Sequence, residues 1–176
     1  MRVAQTRIEG VALLHWGVFR DERGSFARTY CSGSLAEAGL PFALVQANLS
    51  SNPAIHTLRG LHYQTPPHAE TKIVSCIEGR VWDVVADVRR DSPTYRRWQG
   101  FELSPDAGCG LYVPRGVAHG FLTLEPDSVV HYLVDAAFAP EASAGIHWED
   151  PALGIEWPET PSVISERDRK LPFLNH

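Results

Sequence analysis

The residues best suited to chemistry cluster in three places: Leu58-Arg59-Gly60-Leu61-His62-Tyr63-Gln64 with Lys72 after it, Pro114 to Phe121 around His119, and Tyr132. On a strand, His62 and Gln64 share a face, so both would line a barrel mouth. An H-x-H pair with a third histidine downstream is a metal-binding arrangement. Here the second position is Gln64, and a transition-metal site wants three or four N, O or S ligands. The expectation is therefore no metal and no cofactor. Acid–base chemistry on carbon suits the set better. A neutral imidazole, with a reference pKa of ~6.5, can take a proton from a carbon beside a ketone. Lys72 would stabilise the enolate oxygen that forms, and the Tyr132 phenol would return a proton from the opposite face. A carboxylate behind the histidine would hold its tautomer and favour the imidazolium.

These residues sit among short β-like segments separated by Gly and Pro turns. Lys72 to Ile77 and Val81 to Val88 flank Glu78-Gly79-Arg80, which reads as a hairpin. Trp82, Val84, Ala86 and Val88 share one face of the second segment, facing a core. Phe101 to Leu103, Leu111 to Val113, Ala118 to Leu124 and Val129 to Val134 follow. Helix is scarce: Leu35 to Ala38, with Ser34 as N-cap and Gly39 as stop, and a short turn over Ser165 to Lys170. The pattern predicts an all-β chain, a jelly-roll β-sandwich or barrel with a few short helices, forming one domain over residues 1–176. The formal net charge of -5 argues against nucleic acid as a partner. No apolar run reaches the ~18 residues needed to span a bilayer, and the first residues lack the h-region of a signal peptide. Cys31, Cys76 and Cys109 show no CxxC spacing and read as free thiols of a cytoplasmic protein.

Taken in order, many segments resemble the dTDP-4-dehydrorhamnose 3,5-epimerase family. They are Asp21-Glu22-Arg23-Gly24 with Phe26, Gln46 with Asn48 and Ser50, Leu58 to Gln64, Lys72, Asp83 with Asp87, and Ser92-Pro93-Thr94. Leu111 to Phe121, Tyr132, Gly145 to Trp148 with Asp150-Pro151, and Ser165 to Asp168 continue the match. The resemblance implies a cupin jelly roll, a homodimer with exchanged N-terminal strands, and a nucleotide-linked 4-keto-6-deoxy sugar as substrate. It implies His62 as base, Asp168 as its orienting partner and Tyr132 as the acid across the ring. By the same resemblance Lys72 and His119 lie near the sugar, Arg23 and Arg59 bind the diphosphate, and Gln46, Asn48 and Arg167 fall at binding positions. Arg59 also fits on its own chemistry, since guanidinium suits bidentate phosphate contacts.

Four positions depart from the family's pattern. Arg28 stands for a glutamate, Ala47 for an aspartate, Phe138 for the tyrosine that stacks on thymine, and Ser143 for a glutamate. Phe138 keeps the stacking face and loses the hydroxyl. All four lie among binding positions, while the proton-transfer residues are intact. The expectation is retained epimerase chemistry at C3, at C5 or at both, with altered recognition, and inversion of C3 alone as the hypothesis to test. Three rivals are a cupin ketoisomerase, which needs no acid on the far face, a non-catalytic sugar-binding cupin, which needs no acid–base pair, and a metal-dependent cupin oxygenase. Tyr132, the intact His62 and Lys72, and Gln64 respectively weigh against them.

Overall fold

The computed structural model describes residues 1–174. Fourteen strands and two short helices are present among them: β1 (Arg2–Gln5), β2 (Ala12–His15), β3 (Val18–Asp21), β4 (Gly24–Ala27), α1 (Ser32–Glu37), β5 (Gln46–Asn52), β6 (Thr57–Gln64) and β7 (Lys72–Glu78). They continue with β8 (Val81–Asp87), β9 (Trp98–Leu103), β10 (Cys109–Val113), β11 (Val117–Thr123), β12 (Ser128–Val134), β13 (Ser143–Gly145), β14 (Val163–Ile164) and α2 (Glu166–Arg169). One sheet runs β1-β2-β10-β7-β12-β5 and a second runs β13-β6-β11-β8-β9, with β14 parallel to β6. Their facing sides meet in a core of Val74, Cys76, Leu111 and Val130 from the first and Val81, Val85, Val117 and Phe121 from the second. This is the jelly-roll sandwich the strand spacing predicts.

The expected hairpin at Glu78-Gly79-Arg80 does not form. β7 belongs to the first sheet and β8 to the second, so the chain turns a corner between layers instead. Gly79, at φ 68, makes that corner, and the Ser128 hydroxyl fastens it by accepting from Arg80 N and donating to Arg80 O. The turns after β9, β10 and β11 likewise change sheets. A short turn between two apolar strands looks the same in sequence whether its strands pair or part. The Trp82, Val84 and Ala86 face of β8 does pack, but on an outer layer with Leu61, Ala118, Ile146 and Trp157, while Val81 and Val85 point into the barrel. The first helix starts earlier than its sequence suggests. Cys31, not Ser34, is the N-cap, and no side chain caps it. Burial of Leu35 against Leu14, Ile73 and Tyr112 fixes this helix in place of a cap.

Candidate active site

The site begins with an irregularity in β6. Pairing with β11 runs Leu58↔Leu122 and Arg59↔Phe121, then shifts so that His62 pairs with His119. In a regular strand Arg59 and His62 would lie on opposite faces. The bulge adds a residue and turns both toward the interior. Gly60 makes this possible: its φ is 127, and a Cβ there would lie 2.6 Å from Gly120 Cα. The same bulge frees Gly60 N, which donates to Asp168 Oδ2 at 3.1 Å.

Asp168 reaches β6 because β14 pairs with Thr57 and Leu58 and delivers α2 beside it. Ser165 caps α2, its hydroxyl accepting from Asp168 N at 3.0 Å. The Asp168 carboxylate is then 2.7 Å from His62 Nε2. Burial alone would raise this carboxyl. The hydrogen bond and charge of His62, the Gly60 amide and the Arg167 guanidinium outweigh burial and hold it below the usual carboxylate range. An ionised Asp168 accepts from His62 Nε2–H and leaves the other ring nitrogen free to take a proton. Arg59, His62, Arg167 and Asp168 line a cavity of about 330 Å³ with Ile164 and Ser165. Arg59 Nε donates to Asn52 Oδ1 at 2.7 Å, and Arg167 donates to Ser143 Oγ at 2.6 Å.

The opposite wall comes from the other sheet. Tyr132 on β12 and Val74 on β7 are cross-strand partners facing the core, which puts Lys72 on the same inner face. Burial raises the Tyr132 phenol far above its ordinary range, and the Asp83 charge adds to this. The Tyr132 ring stands edge-to-face to His119 at 5.9 Å between centroids. His119 is buried, with Nε2 at 2.9 and 3.0 Å from the two oxygens of Asp83. Burial pushes the Asp83 carboxyl up, while His119 and Lys72 pull it back. His62 and the Tyr132 phenol thus stand on facing sheets across one interior.

A profile of the dTDP-4-dehydrorhamnose 3,5-epimerase family matches residues 5–176. The chain belongs to that family. As an epimerase it is an isomerase. It is 43% identical to dTDP-4-dehydrorhamnose 3,5-epimerase of Sinorhizobium fredii over 95% of this chain and 86% of that one. It is 36% identical to a dTDP-4-dehydrorhamnose 3-epimerase of Streptomyces niveus, covering 99% and 84%. Among solved structures, the Bacillus anthracis 3,5-epimerase with TDP and pyrophosphate bound superposes at a TM-score of 0.95, with 40% identity over 98% of this chain and 99% of that one.

The fold of this epimerase gathers the expected residues in part. His62, Asp168, Arg59 and Arg167 share one cavity, with His119, Lys72 and Tyr132 on the adjoining inner faces. Gln46 and Asn48 pair with Val134 and Tyr132 and share their face of the sheet. Arg23 and Phe26 sit on the separate β3–β4 hairpin, and Arg28 lines another cavity with Phe19, Phe26 and Cys31. Within one chain these three do not meet His62. Gln64 does not line the mouth: it is buried, its amide donating to His68 O and Ala137 O and accepting from Ala139 N. That grip holds both neighbours of Phe138, which is itself 58% exposed. The sequence alone assigns no role to Asp83 or to Glu70, which pairs with Lys72. The available signal for Asp83 was a carboxylate inside an apolar strand, which has to find a partner when buried.

Proposed function

We propose that this protein inverts C3 of a dTDP-linked 4-keto-6-deoxy hexose, dTDP-4-keto-6-deoxyglucose being the first candidate. The observation that carries this reading is the His62–Asp168 pair facing Tyr132 from the opposite sheet. His62 takes the proton from the carbon next to the C4 ketone, and the electron pair moves to the carbonyl oxygen. Lys72 donates to that oxygen. Tyr132 then delivers its proton to the other face of the same carbon, which inverts it. Arg59 and Arg167 hold the diphosphate, with His119, Gln46 and Asn48 along the sugar and Phe138 under the base. C3 inversion is common to relatives named 3,5-epimerases and 3-epimerases, and C5 is the second centre named for the 3,5-epimerases. Incubation with dTDP-4-keto-6-deoxyglucose in heavy water tests both points. Deuterium at C3 supports the reading and label at C5 as well extends it to both centres. Product carrying no label at either carbon overturns it.

The reading includes a homodimer. The β3–β4 hairpin presents Phe19 and Phe26, cross-strand partners that are 71% and 67% exposed, together with Arg23. Seated on a second copy, the hairpin would cover those rings and bring Arg23, Phe26 and Arg28 to that copy's His62. Three free cysteines suit a reducing compartment, and the proposed location is the cytoplasm.

A further inference from the structure

Lys72 does not stand alone on its wall. Its Nζ lies 2.9 Å from Glu70 Oε1, and the two side chains are only 13% and 9% exposed. An ion pair so shielded from water is unlike the surface pairs of this protein, such as Lys170–Glu166, whose side chains are 77% and 89% exposed. The backbone at Glu70 is also fixed. Thr71 N donates to the Asp135 carboxylate at 2.6 Å and Asp135 N donates back to Thr71 O at 3.1 Å, tying this segment to the end of β12. Around the ammonium stand Glu70 from the segment before β7, the Asp83 carboxylate from β8 with His119 of β11 bound to it, and Tyr132 from β12.

A lysine carries four rotatable methylenes and a strongly hydrated charge. Inside a barrel it needs a counter-ion to stay charged and a fixed partner to stay aimed. Asp83 is already engaged through both oxygens by His119. Glu70 is the carboxylate in direct contact with Nζ. We propose that Glu70 is a positioning residue for the epimerisation, its carboxylate holding the Lys72 ammonium directed at the C4 oxygen of the sugar. This rests on the role given to Lys72 above. Glu70 acts through Lys72 and touches no reacting atom.

The chain contains two lysines, Lys72 and Lys170, so ¹³C-lysine labelling yields two Cε signals and Lys170 serves as an internal control. In the full chain, Glu70→Gln preserves size and removes charge, whereas Glu70→Asp preserves charge and shortens the reach. Expected are a kcat for Glu70→Gln about tenfold or more below the parent with KM within about twofold, and a Glu70→Asp kcat closer to the parent. A purely structural role would follow size and reverse that order, which overturns the proposal. The Lys72 Cε signal should be immobile in the parent and in Glu70→Asp, and mobile in Glu70→Gln, with Lys170 unchanged. Equal Lys72 mobility in all three proteins also overturns it. This second readout needs no turnover. A parent chain that fails to epimerise therefore refutes the assigned reaction, while the lysine signals still decide the role of Glu70.

Discussion

His62 and Tyr132 face the same interior with opposite burdens. His62 is partly open, its side chain 35% exposed, and has a carboxylate that would steady the charge gained in the proposed role of base. Tyr132 is held strongly as a phenol by burial and by Asp83. A phenol so disposed gives its proton only to a strong base such as an enolate carbon, and it does not ionise in the resting enzyme. The two residues should therefore fail differently. His62→Ala should remove both C3 exchange and turnover, by about a hundredfold or more, and leave dTDP affinity nearly unchanged. Tyr132→Phe should lose product at least tenfold more than it loses exchange, because deprotonation survives without delivery from the far side. Isotope wash-in and product formation measured on the same samples check this. Parallel losses in Tyr132→Phe would remove the phenol from the acid role.

The β6 bulge and α2 do at the scale of elements what no single side chain does. The bulge turns Arg59 and His62 to one face and exposes Gly60 N, while β14 carries the capped α2 to the place where Asp168 meets both. Gly60 packs against Gly120 with no room between them. Gly60→Ala should destabilise the protein by about 2 kcal/mol or more, since both the φ and the backbone contact are unfavourable for any side chain. Denaturant midpoints would read the stability, and a midpoint within experimental error of the parent would contradict this account of the bulge. Gly24, whose φ is also positive but which has nothing near its Cβ, is the control that should lose less.

At the scale of the whole molecule, the hairpin and the barrel hold different parts of the proposed recognition surface. If the hairpin of one copy completes the site of another, Arg23→Glu and His62→Ala should each be inactive alone and complement when co-refolded. Random pairing of a two-fold dimer gives about a quarter of parental activity, from heterodimers carrying one intact composite site. No recovery in verified heterodimers would overturn the exchange of the hairpin between copies. Stability against acid is also a global property. Asp168 and Asp87 both lie below the usual carboxylate range. For Asp87, burial works to raise the carboxyl, but hydrogen bonds from Arg89, Ser92 and Thr94 prevail. A depressed carboxyl stabilises the fold above its unfolded value of about 3.9, and this is lost as pH falls through the lower folded value. Urea midpoints should drop below about pH 4, and drop less in Asp87→Asn, which begins from a lower neutral-pH stability. Identical acid slopes in the two proteins would refute the linkage.

The linear order of residues determined the β class, most central strands and the family, and it named the residues proposed here for proton transfer, because alternation, turn residues and ordered segments are local properties. It also pointed to His62 and Lys72 as one working group. The tertiary structure decided which strands pair. It turned the Gly79 segment from a hairpin into a corner between sheets, and removed Gln64 from the mouth to the backbone around Phe138. It also gave Asp83 and Glu70 their partners. These choices rest on contacts between residues far apart in the chain, or on one extra residue in a strand. Local pattern carries no record of either, since a bulge changes which side a residue faces without changing the residue.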